Sequence, residues 1–233
     1  MEVISQRGHI VISIGNEYFM FKPSAFFGEG FETVPYNEIL AYEISRELGL
    51  SVVPETGLKT LPLTIASKLI FPFNGSCQRY VDNVLPLHLY DEELDKESVS
   101  QIVLLDAIIG NTDRKAENVV VDLDTGKVWG VDNGFSLGFH HPNEVEKRGG
   151  GYEWDVSLFD IEHGYLNIDK RLTDNIDWEY IMDYARLVQR IVFSSNIEAY
   201  FQDDPEMVSY LISALEHRIR YLPTLLGKQM GGR

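Results

Sequence analysis

The chain has 233 residues, of which 44% are hydrophobic and 24% are charged, as in folded globular proteins. Its 36 Asp and Glu residues outnumber its 20 Lys and Arg residues, so the formal net charge is −16 and nucleic acid is disfavoured as a partner. The single cysteine, Cys77, excludes an intrachain disulfide. With no apolar leader and no apolar run of about 18 residues, the sequence predicts a cytoplasmic protein without stable membrane insertion.

The N-terminal segment predicts a β-hairpin. Residues 10–14 are rich in β-branched side chains, residues 18–22 are mostly aromatic and apolar, and Gly15 and Asn16 lie between the two stretches. Short stretches of this composition on either side of a Gly-Asn pair are typical of two antiparallel strands joined by a tight turn.

A helix and further strands are predicted after this hairpin. Apolar residues recur at helical spacing after Pro35, and Gly49 suits the left-handed position that follows a helix. The stretches 52–54 and 61–71 are extended in character. The first 80 residues therefore predict the order β-β-α-β-β.

The middle of the chain predicts a helix, a polar loop and a second hairpin. Apolar residues from Val99 follow helical spacing and stop at Gly110. The polar loop (residues 111–118) comes next, and the valine-rich stretches 119–121 and 128–131 enclose a turn.

The remaining elements predict helices. Residues 178–192 carry one apolar stripe, and Asp204 followed by Pro205 is a typical helix start. We therefore predict an α+β fold of two lobes, with a β-rich N-terminal lobe of residues 1–82 and a mostly helical C-terminal lobe of residues 83–233.

Three polar side chains in the middle segment suit phosphoryl transfer. Asp113 and Asn118 have the Asp-x-x-x-x-Asn spacing of a kinase catalytic loop, and Asp132 precedes Asn133 and Gly134. Such chemistry needs a carboxylate beside the acceptor hydroxyl and oxygen ligands for magnesium. Because the strands of the second hairpin run antiparallel, we expect Asp132 to return beside Asn118.

A strand lysine and a helix glutamate add the cation that phosphates require. Lys22 ends a predicted strand, and Glu38 stands sixteen residues later at the beginning of the predicted helix. Kinases hold such a lysine with such a glutamate. Glu43, about one helical turn further on, is the alternative partner.

These segments resemble a known family. Residues 106–118 and 131–134 are similar to the atypical kinases related to the phosphatidylinositol 3- and 4-kinases and the HipA-type toxin kinases. Residues 36–54 resemble the helix and following strand of that group, and residues 75–81 resemble its hinge strand. The likeness covers roughly residues 17–140 and implies a two-lobed protein-kinase-like fold.

The resemblance also implies roles for individual residues. Lys22 would contact phosphate, with Glu38 supporting it, and Asp113 would be catalytic. Asn118 and Asp132 would bind Mg²⁺. The adenine of ATP would be held by backbone groups near three residues of the N-terminal lobe, Arg79, Tyr80 and Val81.

The sequence departs from the family in two places. Relatives often carry His two residues after the catalytic Asp, where this chain has Lys115. Residues 5–9, where a phosphate-covering loop is expected, contain one glycine rather than a Gly-x-Gly-x-x-Gly pattern.

Other polar residues keep two interpretations open. Asp106 lies on an otherwise apolar helix stripe, which favours a structural role as hydrogen-bond acceptor for the polar loop. Arg114 is either a brace within the loop or a partner for phosphate. Lys147 and the glycines that follow suit either an acceptor-binding segment or a solvated loop. His140 and His141 have no third ligand at a metal-binding spacing.

Together these features predict an ATP- and Mg²⁺-dependent phosphotransferase that acts on a hydroxyl acceptor, with protein Ser/Thr favoured. Three alternatives remain: a non-catalytic kinase-fold module that binds nucleotide or serves as a scaffold, a lipid or small-molecule kinase, and an AMP transferase. The sequence leaves the oligomeric state open.

Overall fold

The computed structural model describes residues 2–6, 9–24, 33–65, 69–111, 113–137, 170–188, 194–201 and 203–231. Its strands are β1 (Glu2–Gln6), β2 (His9–Ile14), β3 (Glu17–Pro23), β4 (Thr56–Ile65), β5 (Leu69–Arg79), β6 (Val84–Pro86), β7 (Val119–Asp122) and β8 (Val128–Gly130). Its α-helices are α1 (Val34–Glu47), α2 (Lys96–Ile109), α3 (Lys170–Asp174), α4 (Trp178–Val188), α5 (Ser194–Tyr200) and α6 (Pro205–Gly231).

The N-terminal sheet has five antiparallel strands in the order β1-β2-β3-β5-β4. The hairpin of β2 and β3 confirms the first prediction, and Gly15 takes a φ of 64° in its turn. Strand β1 was not predicted. It pairs with β2 from Glu2 opposite Ser13 to Gln6 opposite His9, so it adds an edge strand that has no strong sequence pattern of its own.

The predicted strand at residues 61–71 belongs to two longer strands. β4 and β5 pair with each other, with Leu61 opposite Phe73. The strand predicted at residues 52–54 is wrong. That segment is a connection in which the Val52 carbonyl accepts a hydrogen bond from the backbone N–H of Gly130, and Pro54 has no N–H to give to a ladder.

Helix α1 confirms the helix predicted after Pro35. Proline occupies the first turn, where a missing N–H costs no intrahelical bond, and Gly49 follows the helix with a φ of 69°. The apolar stripe of the helix, including Ile39 and Leu40, is fully buried. The helix thereby turns Asn37 and Glu38 inward as well.

Helix α2 is the central element of the C-terminal part. Asp95 caps its start by accepting a hydrogen bond from the Ser98 backbone at 3.0 Å, and Gly110 ends it with a φ of 63°, as predicted. All residues from 98 to 109 are buried. The polar loop that follows therefore begins from a rigid, enclosed support.

The second hairpin is also confirmed, by β7 and β8. Strand β6 pairs with β7 to make a three-stranded sheet, an addition that the sequence pattern did not predict. Just after β8, the backbone N–H of Val131 donates to the Asn118 carbonyl at 3.0 Å. Asp132 directly follows Val131 in the chain, so this bond holds Asp132 near Asn118.

Helices form the end of the described chain. The backbone N–H of Met207 bonds to Asp204 Oδ1 at 3.0 Å, which confirms the predicted start of α6. The stripe predicted over 178–192 is helical through Val188, and its last four residues lie outside the described part. In the described ranges, no helix is both long and apolar enough to cross a bilayer.

The fold is therefore α+β, with a β-rich N-terminal part followed by helices, as predicted. One large apolar core joins α1, α2, the second hairpin, α4 and α6, while a smaller cluster around Ile12 and Phe21 lies in the five-stranded sheet. The lobe boundary between residues 82 and 83 stays a prediction. His140, His141 and Lys147 lie outside the described residues.

Candidate functional site

A buried lysine joins three separate parts of the fold. Lys22 of β3, 6% exposed, hydrogen-bonds through its ammonium to Glu38 of α1 and, at 2.8 Å, to Oδ1 of Asp132. Burial alone would lower the pKa of Lys22, but the two carboxylates outweigh burial and raise it. Lys22 is therefore held in its charged form inside the protein.

The alternative partner of this lysine is engaged elsewhere. Glu43 accepts a hydrogen bond from the Tyr200 hydroxyl at 2.7 Å, one helical turn from Glu38. Residues five apart on a helix point in different directions, and only Glu38 faces the sheet.

The polar loop holds Asp113 by both its backbone and its side chain. Asn111 Oδ1 accepts from the Asp113 backbone N–H at 2.9 Å. The amide nitrogen of Asn118 donates to the Asp113 carbonyl at 2.7 Å and to Asp113 Oδ2 at 3.0 Å. The carboxylate, 34% exposed, is thus fixed in orientation and still open to solvent.

Lys115 also contacts the Asp113 carboxylate, although Lys115 was not among the predicted site residues. Its Nζ lies 3.0 Å from Asp113 Oδ2, and this hydrogen bond raises the pKa of Lys115. The only sequence signal was its position two residues after Asp113, where the resembling family often has His. A cation there places positive charge beside the carboxylate.

Arg114 is a brace within the site. Its side chain is 2% exposed and makes two hydrogen bonds to Asp106, of 2.8 and 2.9 Å. It also donates to the carbonyls of Asn118 at 2.7 Å and Val131 at 2.8 Å, and to Asn133 Oδ1. Because protein groups surround it, Arg114 links α2, the loop and the end of β8, and Asp106 has the structural role predicted for it.

The segment after β8 is anchored to α1. Asn37 donates through its side-chain amide to the carbonyls of Gly134 at 3.1 Å and Ser136 at 2.8 Å. A Cβ atom at Gly134 would lie 2.4 Å from a Val34 methyl carbon, so a side chain does not fit there. Asp132 itself has a φ of 56°, a strained value for a residue other than glycine.

A cavity of about 190 Å³ lies between the five-stranded sheet and the second hairpin. All three residues predicted to hold adenine line it, together with apolar residues of both sheets and Val131, which follows β8. The Arg79 guanidinium is itself exposed and pairs with Glu17 at 2.6 Å. The backbone N–H groups of Arg79 and Tyr80 donate to the carbonyls of Glu55 and Tyr18, at 2.7 and 2.8 Å. We call residues 79–81 the hinge segment.

The two predicted metal ligands have oxygens suited to Mg²⁺. Because Asp113 engages the amide nitrogen of Asn118, the Oδ1 of Asn118 is the end left for a cation. The Asp132 side chain is 31% exposed and so is reachable from the cleft. In the part of the chain that the structure describes, no cluster of three His, Cys, Asp or Glu side chains is present. Mg²⁺ needs no such cluster, since it commonly keeps waters and substrate phosphates as ligands.

The structure thus brings the predicted residues into two neighbouring groups. One contains Lys22, Glu38 and Asp132, and the other contains Asp113 and Asn118. The Val131 to Asn118 backbone bond and the Arg114 side chain connect them. The hinge segment lines the cavity, and so do Glu117 and Val131, which directly precede Asn118 and Asp132 in the chain.

Known proteins support a kinase-like relation. The family model described as phosphatidylinositol 3- and 4-kinase matches residues 93–149, which include the polar loop and Asp132. The fold is similar to that of a Helicobacter pylori proinflammatory kinase, CtkA, with a TM-score of 0.52, 14% identity and coverage of 95% of each chain. Comparison with curated protein sequences gives no significant match. The HipA-type resemblance stays a prediction.

Proposed function

We propose that this chain is an ATP- and Mg²⁺-dependent phosphotransferase that moves the γ-phosphoryl group of ATP to a hydroxyl, with a protein Ser or Thr as the favoured acceptor. One observation carries the proposal: the buried Lys22 contacts both Glu38 and Asp132. The residue before Asp132 is hydrogen-bonded to the loop that contains Asp113. The kinase-like fold and the family match over residues 93–149 support it.

The nucleotide would lie with its base in the cavity and its phosphates toward Lys22. The cavity is smaller than the roughly 300 Å³ at which pockets begin to enclose whole drug-sized ligands, so it suits part of a nucleotide. Lys22 would offset phosphate charge, and Glu38 would keep its ammonium in place. Backbone groups of the hinge segment other than the N–H groups of Arg79 and Tyr80 would hold the base.

Asp113 would receive the proton of the acceptor hydroxyl. The hydroxyl oxygen forms a bond to the γ-phosphorus, the bond from that phosphorus to the β,γ-bridging oxygen breaks, and ADP leaves. Asn118 and Lys115 hold the carboxylate of Asp113 in one orientation. When bound through Asn118 and Asp132, Mg²⁺ would supply neutralisation of the phosphate charge.

A protein acceptor is favoured over a membrane lipid because of charge. The chain carries a formal net charge of −16, which opposes approach to an anionic membrane surface. We therefore propose a protein partner, and a lipid or small-molecule acceptor is the second candidate. We expect this activity in the cytoplasm, the location predicted from the sequence.

The test combines binding with identification of the transferred group. The full chain is melted with and without Mg-ATP, and then incubated with γ-labelled ATP and a mixture of Ser/Thr-containing protein acceptors. Asp113→Asn and Lys22→Met are compared with wild type. Asp183→Asn, an exposed carboxylate on α4, is the matched control. Intact-mass measurement shows whether phosphate or AMP has moved.

We expect stabilisation by Mg-ATP and phosphate transfer by wild type and Asp183→Asn. Asp113→Asn should retain binding and lose transfer by at least about a hundredfold. Stabilisation without turnover in any protein would indicate a non-catalytic binding module. AMP on the acceptor would indicate an AMP transferase, and no stabilisation at all would refute nucleotide binding.

A further inference from the structure

Gln78 is a buried polar side chain on the wall of the cavity. It lies on β5, directly before the hinge segment, and is 5% exposed. The cavity around it is largely apolar, with Met20, Val84, Val120 and Val131 in its lining, and Glu117 is the one carboxylate among the lining residues that the structure describes. A single amide in such surroundings has a strong influence on which ligand edge can face it, because unpaired polar groups are costly there.

The neighbouring hydroxyl fixes the orientation of this amide. Thr56 Oγ1 lies 2.8 Å from the Pro54 carbonyl oxygen and 3.1 Å from the Gln78 amide. A carbonyl oxygen only accepts, so the one proton of the Thr56 hydroxyl goes to Pro54. Thr56 must then accept from Gln78, and the NH₂ end of the amide is the end that faces it.

This leaves Gln78 Oε1 as the end of the amide available to the cavity. No group in the described ranges donates a hydrogen bond to Oε1. The cavity therefore presents an acceptor that calls for a donor on the ligand. The 6-amino group of adenine is such a donor, whereas the 6-oxo oxygen of hypoxanthine or guanine would oppose Oε1 with another lone pair.

We infer that Gln78 is a specificity-determining residue that selects 6-amino purine nucleotides over 6-oxo purine nucleotides, and that Thr56 sets this preference by orienting the amide. The inference rests on the proposed nucleotide binding. It adds a side-chain determinant to the hinge backbone, and it assigns an indirect role to a threonine that need not touch the nucleotide.

The test compares Mg-ATP with Mg-ITP, whose bases differ at the 6-position and in the N1 proton that accompanies the oxo group. Dissociation constants are measured by calorimetry on the full chain. Gln78→Met removes the acceptor at similar length, and Thr56→Val removes the hydroxyl at similar shape. Thr56→Ser keeps the hydroxyl as the conservative control. Val84→Ala alters an apolar part of the same cavity, and thermal melting verifies that each variant is folded.

Wild type should prefer ATP, and Gln78→Met should reduce the ITP-to-ATP ratio of dissociation constants by about tenfold, the worth of one hydrogen bond. Thr56→Val should also reduce it, because the freed amide can turn its NH₂ group to the 6-oxo oxygen. Thr56→Ser and Val84→Ala should keep the ratio within about twofold of wild type, as no oriented acceptor is lost.

An unchanged ratio in a folded Gln78→Met or Thr56→Val variant that still binds ATP would overturn the inference and leave the proposed function standing. Either variant decides the matter if the other does not fold. Failure of the wild type to bind ATP would instead remove the proposed function, and the inference with it.

Discussion

The buried pair of Asp106 and Arg114 gives the sharpest stability prediction. Asp106 is fully buried, Arg114 is 2% exposed, and two hydrogen bonds of 2.8 and 2.9 Å join them. Asp106→Ala would leave the guanidinium buried without its counter-charge. Removing one member of such a pair costs about 3–5 kcal/mol of unfolding free energy.

For a chain of this size, each kcal/mol lowers the melting temperature by about 2–4 °C, so Asp106→Ala should lower it by roughly 6–20 °C. Asp106→Asn keeps one acceptor oxygen and should lower the melting temperature by less than Asp106→Ala does. Arg114 also bonds to the carbonyls of Asn118 and Val131, so phosphotransfer by the folded fraction should fall as well.

Thermal unfolding followed by circular dichroism measures the effect, with Arg186→Ala as control. Arg186 pairs with Asp183 at 2.9 Å, but both side chains are at least 65% exposed, so the pair contributes about 0.5 kcal/mol or less. If the melting temperature of Asp106→Ala fell no further than that of Arg186→Ala, the buried pair would not brace the site as we describe.

Two further substitutions and the single cysteine thiol have defined outcomes. Glu38→Gln keeps the shape of the side chain but removes the charge that holds Lys22, so the KM for ATP should rise by about tenfold in a steady-state phosphotransfer assay. Gly134→Ala places a methyl group 2.4 Å from a Val34 methyl carbon and should cost about 1–3 kcal/mol in denaturant unfolding. Burial raises the pKa of the Cys77 thiol from 9.0 to about 11, so the native thiol should react slowly with iodoacetamide at pH 8. The folded state then binds more protons than the unfolded state between about pH 9 and 11, and stability should fall with pH across that window.

Each of these expectations has a contrary result. An unchanged KM for Glu38→Gln would show that Lys22 keeps its position without that carboxylate. Unaltered unfolding of Gly134→Ala would show that α1 and the segment after β8 can move apart. Equal alkylation rates for Cys77 in the folded and the urea-unfolded chain would show that the thiol is not shielded.

Local patterns in the sequence were enough for the elements around the site. The β2–β3 hairpin, α1, α2 and the β7–β8 hairpin each follow from side chains close together in the chain, namely a turn pair, a helical stripe or a terminal glycine. The spacing of Asp113 and Asn118 and the antiparallel return to Asp132 likewise depend on short-range geometry. Their roles in catalysis and metal binding stay predictions.

Longer-range pairing was not visible in the sequence. β1 and β6 became strands because partners supplied ladder hydrogen bonds. The segment 52–54 contains two β-branched valines, but its Val52 carbonyl bonds to the Gly130 backbone without forming a ladder. A strand needs a neighbour, and the identity of that neighbour is not contained in a local pattern of apolar residues.

What the sequence by itself determined is the α+β class, the order of most elements and the set of polar residues at the candidate site. The tertiary structure decided which of them meet: Lys22 contacts Glu38 rather than Glu43, and Arg114 turns inward to Asp106 as a brace. It alone showed Lys115 on Asp113 and the oriented amide of Gln78. Direction and burial of a side chain are set by residues distant in sequence, and hydrogen bonds form only after those residues are brought together.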